Sequence, residues 1–427
     1  MTLSNDSCAA IKSYAERVQR VTSPGGVTAW LFEDHTLPIL SMAFGFRGGA
    51  ASDPIGKAGT ARMLADLLTE GAGSLDGSAF QRAMGDRAIQ LSFSASSESL
   101  RGTLRSLSRN ADRAFELVGL ALRDPLLASD DHERIRDAAC AEVRKSLTQT
   151  DQVAMDALFA HGFPDHPYGR PKGGDLASLA AISRSDIVDL HAGMVTRDNL
   201  EIAVVGAIGP DALVALLDRA FSELPVGTSP AVAPCSLAHL GARFVTPLAS
   251  PQTTIYFGRP ALARHDHDAM ASVVVNHCLG GGTFSSRLFR EVREARGLCY
   301  SVWSMVRFSD EGSTIIGATS TPNERAGEAL GVIQGEVARL IQEGIGTDEL
   351  EAAKSYLTGS YGLRFDTSRS IANLLLELKF DGRDPSWLDE RNRRIAAVTE
   401  ADAARTIERL FGDGALLVTA AGEPAGL

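Results

Sequence analysis

Apolar residues recur along this chain with two different periods. Runs such as Ile39-Leu40-Ser41-Met42-Ala43-Phe44-Gly45-Phe46 and Gln252-Thr253-Thr254-Ile255-Tyr256-Phe257-Gly258 are rich in β-branched and aromatic side chains and predict strands. Leu91-Ser92-Phe93-Ser94-Ala95-Ser96 alternates with period two, so it predicts a strand with one buried face. Ser301-Val302-Trp303-Ser304-Met305-Val306, Leu200 to Gly206 and Ala415 to Ala421 are further strand candidates. Helical spacing marks other segments. Met63, Leu64, Leu67 and Leu68 form a stripe across Gly59 to Thr69. Leu288, Phe289 and Val292 do the same across Ser285 to Arg296, and Gly297 is placed as the left-handed residue that ends that helix. Charged helices are expected over Asp131 to Ser146 and Asp348 to Gly359.

These elements fall in a similar order in two halves, roughly 20–222 and 242–427. Each half starts from a strand, at Ile39 or Gln252, enters a helix and returns in a strand. Each later carries one charged helix and one late strand. Between the halves, Leu224-Pro225-Val226-Gly227-Thr228-Ser229-Pro230-Ala231-Val232-Ala233-Pro234 is rich in proline and small residues, as a linker is. The expected class is α+β, with two similar α/β-sandwich domains of about 200 residues. Their mixed or antiparallel sheets are covered by helices. The expected boundaries are an N-terminal domain at 1–222, a linker at 223–241 and a C-terminal domain at 242–427.

Composition narrows the function. At 427 residues the chain can bury ample core, and its 44% hydrophobic and 22% charged residues are those of a soluble globular protein. A net charge of −11 argues against nucleic acid as a partner. No stretch is long and apolar enough for a membrane span, and Met1 to Arg20 lacks the apolar core of a secretory signal, so a cytoplasmic location is expected. Cys8, Cys140, Cys235, Cys278 and Cys299 are odd in number and scattered, and they predict reduced, mostly buried thiols. His265-Asp266-His267 lies in a polar stretch and is expected to be a solvated loop. His166-Pro167-Tyr168-Gly169 is expected to be a proline-fixed turn.

The candidate chemistry lies near Gly297. Arg293 stands in the last turn of the predicted helix, and Tyr300 follows three residues past its stop. That turn lets both side chains enter one space. A phenol is a neutral donor near neutral pH, and a guanidinium is a permanent donor with fork geometry. Together they suit a peptide carbonyl, or the oxyanion formed when water attacks it. The competing role pairs Arg293 with Glu291 or Glu294 and packs Tyr300 as an ordinary strand residue.

The whole segment from Gly280 to Val302 resembles the Arg/Tyr substrate-binding segment of the pitrilysin/insulinase zinc peptidases, in their short two-domain branch. The resemblance also covers Gly59 to Gly73, the helix to Glu142, His166 to Gly169 and Ala203 to Gly206. It implies substrate-binding roles for Arg293, Tyr300 and Gly280, Gly281 and Gly282. It also locates a defect. Where the family carries His-x-x-Glu-His, this chain has Arg62-Met63-Leu64-Ala65-Asp66. Arg62 and Asp66 occupy the histidine positions, Ala65 that of the catalytic Glu, and Glu142 that of the distant third ligand. Arginine stays protonated and alanine cannot act as a base. Arg62, Asp66 and Glu142 are therefore expected to form an ion-pair cluster instead of a zinc site.

The resemblance implies no cofactor on this chain, with zinc on a paralogous partner. The resulting expectation is a non-catalytic, substrate-binding subunit of a heterodimeric zinc metallopeptidase acting on peptides. The alternatives are a structural or assembly subunit like the core proteins of respiratory complexes, and a peptide-binding module or a metal-independent activity.

Overall fold

The structure, a computed structural model, describes residues 13–228 and 231–427. Six strands form the first sheet: β1 (Val18–Thr22), β2 (Thr28–Glu33), β3 (Ile39–Arg47), β4 (Gln90–Ala95), β5 (Ser99–Leu107) and β6 (Leu200–Gly206). Their spatial order is β1-β2-β6-β3-β5-β4, and only β2 and β6 run parallel. Five strands form the second: β7 (Arg243–Pro247), β8 (Gln252–Pro260), β9 (Val302–Arg307), β10 (Thr314–Pro322) and β11 (Leu417–Gly422). Their order is β9-β10-β8-β11-β7, again with one parallel pair, β11 with β7. Reversed, that order matches β2-β6-β3-β5-β4 strand for strand and direction for direction. The internal duplication is thus a duplication of topology, and the fold is two-domain α+β with mixed sheets.

One packing detail repeats as well. Phe44 faces Gly102 across the first sheet, and Phe257 faces Gly317 across the second. A Cβ on either glycine would sit 2.1 Å from the opposing ring. Each glycine is therefore fixed by the phenylalanine lying over it.

Each sheet buries one face in its own half. Leu40, Met42, Phe44, Ile202 and Val204 pack with Met63, Leu67, Phe115 and Leu217 in the first core. Ile255, Phe257, Val418 and Ala420 pack with Val274, Leu330, Ile333 and Ile407 in the second. The other faces are covered by exchange. Helix Ser368–Phe380 leaves the second half and lays Ile371, Leu374, Leu375 and Leu378 on Trp30, Phe32, Ala43, Ala203 and Val205 of the first sheet. Helix Thr150–Gly162 does the reverse, setting Ala154 and Leu158 against Tyr256, Ile316, Leu417 and Ala421. Central strands are apolar on both faces for this reason.

The predicted elements take their places with small shifts. The charged helices span Ser129–Ser146 and Thr347–Gly359, and the stripe helix spans Thr60–Leu67. β2 and β7, which open the two topologies, precede the strands from which the sequence reading started. The segment expected as one α-helix over 285–296 is wound differently. Residues to Ser286 form turns, and Phe289–Ala295 is a π-helix. Gly297 does end it in the left-handed region, at φ +59°. Cys140, Cys235, Cys278 and Cys299 are free thiols, of which only Cys278 is fully buried, and Cys8 lies outside the described residues. No helix among the described residues is long and apolar enough to cross a membrane.

Candidate functional site

Helix Thr60–Leu67 is held at its start by Asp53, a buried carboxylate. Its two oxygens accept the Gly59 and Ala61 N–H groups, each at 2.7 Å. Burial pushes this carboxyl up to about 7, against the lowering effect of those amides. The helix then aims Arg62 and Asp66 outward and turns Ala65 into the first core, where it is 2% exposed. Arg62 pairs with Asp66 at 3.7 Å and donates to Glu142 on helix Ser129–Ser146. Burial, ahead of the opposing pull of Arg62, raises the Asp66 carboxyl above its ordinary range.

The expected ion-pair cluster is therefore present. It borders a cavity of about 480 Å³ that also meets Phe159, Tyr168, Arg170 and Lys172. His166 to Gly169 forms the expected proline-fixed turn, with Tyr168 buried beneath it. The donor set does not fit zinc. Two hard carboxylate oxygens are already engaged by a guanidinium, and no imidazole or thiolate joins them among the lining residues.

The second cluster is differently built. Arg293 lies on the π-helix with its guanidinium carbon 4.6 Å from the Phe289 ring centre and 5.4 Å from that of Tyr300. The turn that places Tyr300 is closed by N–H donation from Gly297 to the Arg293 carbonyl and from Leu298 to the Val292 carbonyl. Tyr300 is 87% exposed, so it is not a packing residue. Glu291 pairs with Arg296 and Arg339, leaving Arg293 without an ion pair among the described residues. Phe284, 73% exposed, meets Phe289 edge-on at 5.2 Å. The result is an open ladder of Phe284, Phe289, Arg293 and Tyr300. Arginine stacked between rings keeps its edge donors free.

Gly280, Gly281 and Gly282 sit at the foot of this segment, where close packing explains them. A Cβ on Gly280 would meet Ser304 Oγ at 2.4 Å, one on Gly281 the Asn276 amide at 2.8 Å, and one on Gly282 Ser285 Oγ at 2.8 Å. No hydrogen bond, ion pair or ring contact among the described residues links the Arg62 cluster to the Arg293 ladder. Phe284 and Phe289 were missed from the sequence, although Phe289 precedes Arg293 by one helical turn.

The acidic loop differs from a freely solvated one. Asp266, His267 and Asp268 offer ligand atoms within 4.8 Å of one another. Both carboxylates are, however, taken by guanidiniums: Arg409 reaches Asp266 and Asp268 at 2.7 Å, and Arg405 reaches Asp268. Arg409 holds the Asp266 carboxyl down at about 2. His265 and His267 remain exposed.

The fold and these two clusters define a two-domain peptidase-like chain whose metal motif is degenerate. Residues 181–357 match the family model described as the peptidase M16 inactive domain. A Helicobacter pylori protein described as the non-peptidase homolog YmxG is 27% identical over 342 residues, 80% of this chain and 79% of that one. An uncharacterized zinc protease of Mycobacterium tuberculosis, Rv2782c, is 28% identical over 93% of this chain and 92% of its own length. Among solved structures, a peptidase M16 inactive domain from Pseudomonas fluorescens superposes with a TM-score of 0.89 at 24% identity, covering 96% of this chain and 98% of that one. A chain of complex III2 from Candida albicans shares the fold at a TM-score of 0.80 and 15% identity, over 95% and 96% of the two chains. The chain is thus similar in sequence and in fold to proteins of the M16 peptidase family, among them one described as a non-peptidase homolog and others described as zinc proteases.

Proposed function

We propose that this chain is the substrate-binding subunit of a cytoplasmic heterodimeric zinc peptidase. The observation that carries this reading is the Arg293–Tyr300 pair, stacked yet open and without a carboxylate partner among the described residues. The zinc resides on a paralogous partner with an intact motif, where it would activate the attacking water. This chain contributes binding. The Arg293 fork and the Tyr300 hydroxyl donate to the carbonyl oxygen of the scissile peptide, and they hold it more strongly as negative charge develops there. Alone, the chain binds no stoichiometric zinc and cleaves nothing, because Arg62, Ala65 and Asp66 supply neither ligand set nor base.

The test uses the complex of this chain with a zinc-motif paralogue from the same cell. Tyr300→Phe and Arg293→Lys are each expected to lower turnover of a fluorogenic peptide by roughly 10²–10³. Subunit affinity, zinc content and melting temperature should stay unchanged. Full turnover in the double variant would instead make this chain a structural subunit.

A further inference from the structure

The exchanged helix leaves part of the first sheet bare. Helix Ser368–Phe380 rests on β2, β6 and β3, and the same face of β5 and β4 continues beyond it. Ser41, Arg105 and Gln90 stand opposite one another across β3, β5 and β4, so they share a face. At this step between helix and sheet lies a cavity of about 340 Å³, bounded by Arg105, Gln90 and Gln81 on one side and by Arg369 and Asn373 on the other. Ligand sites begin at about this size.

Three features point to an anion. The chain carries a net charge of −11, yet none of the described residues lining this cavity is acidic and two are arginines. Neither Arg105 nor Arg369 forms an ion pair or side-chain hydrogen bond among the described residues. Ser41 is 3% exposed, and its Oγ has no hydrogen-bond partner. A buried hydroxyl without a partner costs stability, so such groups are normally satisfied. Ser41, Arg105 and Arg369 also border an adjoining cavity that contains Asp34 and Asp366. The Asp34 carboxylate is already taken by the Thr36 N–H and hydroxyl, and Asp366 is exposed and pairs with neither arginine among the described residues.

We infer that this cavity binds a small oxyanion, a carboxylate or phosphate group, on a short apolar body. The Ser41 hydroxyl and the two guanidiniums would donate to the oxyanion, and the amides of Gln81, Gln90 and Asn373 would surround it. Met84 and Ile89 form the apolar end of the lining. The site is separate from the Arg293 ladder and needs no partner subunit, so its failure would leave the peptidase reading untouched.

The test is calorimetric titration of the full chain with sodium phosphate and with sodium butyrate, against sodium chloride at equal ionic strength. One saturable site per chain is expected. Phosphate binding alone would assign a phosphate ligand, and butyrate binding alone a carboxylate; either result supports the site. Arg105→Gln with Arg369→Gln should weaken binding at least about ten-fold, because charge-assisted hydrogen bonds are the strong ones. Arg109→Gln, outside the cavity, should leave it unchanged. On the unaltered protein, the bound anion should slow phenylglyoxal modification of Arg105 and Arg369, read by mass spectrometry. No saturable binding of either anion, or equal binding by the double variant, or no protection of either arginine would overturn the inference.

Discussion

The Arg62 cluster and the Arg293 ladder have opposite electrostatics. At the old motif positions the charges have found partners within the chain: Arg62 spans Asp66 and Glu142, and Ala65 has joined the core. Around Arg293 nothing has closed. The guanidinium is stacked between Phe289 and Tyr300 and meets no carboxylate among the described residues. A site relieved of its chemistry can settle into ordinary ion pairs. A site that must receive a ligand keeps its donors unspent, held in place by rings that cannot accept their protons. The difference between the clusters is the physical reason for placing function in the second and not the first.

The largest effect expected from this contrast is the loss of roughly 10²–10³ in turnover on changing Arg293 or Tyr300 in the assembled complex. The same assay should be indifferent to the Arg62 cluster. If Arg62→Ala and Tyr300→Phe depressed turnover equally at unchanged stability, the contrast would be broken.

Next in size is the exchange of helices that holds both clusters in one body. Leu375 is fully buried between helix Ser368–Phe380 and the first sheet. Leu375→Ala should cost about 2–5 kcal/mol of unfolding free energy in urea denaturation. Because the helix belongs to the second half by sequence and to the first sheet by packing, both halves should unfold in one transition. Two separated transitions in the wild type would show that the exchange does not couple them.

That exchange marks where the sequence stops being informative. β3, β6, β8 and β11 were legible because central strands are short apolar runs, and Gly297 was legible because a helix must stop in a left-handed turn. β2 and β7 were not singled out, although Trp30-Leu31-Phe32 is as apolar as any central run. The crossing of helix Ser368–Phe380 onto the other half has no local signature; its apolar stripe would serve either sheet. The π-winding of Phe289–Ala295 shifts which residues face which, so Phe284 and Phe289 joined the ladder only in three dimensions. The Arg293–Tyr300 pairing survived because it depends on one turn. Ser41, Arg105 and Arg369 converge from three distant segments and could not be read at all.

A pH effect should follow from Asp53. Its folded carboxyl is pushed up to about 7 by burial, from an ordinary value of 3.8. A raised folded pKa means the native state holds the proton longer than the unfolded chain does. The associated stability is complete below about 4 and is lost as pH rises through about 7. Urea midpoints of the wild type should therefore fall between pH 4 and pH 7 by more than those of Asp53→Asn, whose side chain does not titrate. Parallel profiles for the two proteins would show that the amides of Gly59 and Ala61 keep Asp53 ionised throughout.

The smallest effect tests the first cluster directly. Arg62→Ala removes a guanidinium shared by Asp66 and Glu142, whose side chains are 40% and 63% exposed. Exposed pairs of this kind contribute about 0–1 kcal/mol, since water and salt screen them. The change should lower the unfolding free energy by less than about 1 kcal/mol. The loss should shrink further in 1 M salt, where the screening length is about 3 Å. Turnover in the assembled complex should not change. A loss of several kcal/mol would mean that the cluster clamps helix Thr60–Leu67 to helix Ser129–Ser146 as a structural element. A loss of turnover at full stability would mean that the arginine at the old metal position has been recruited to bind substrate.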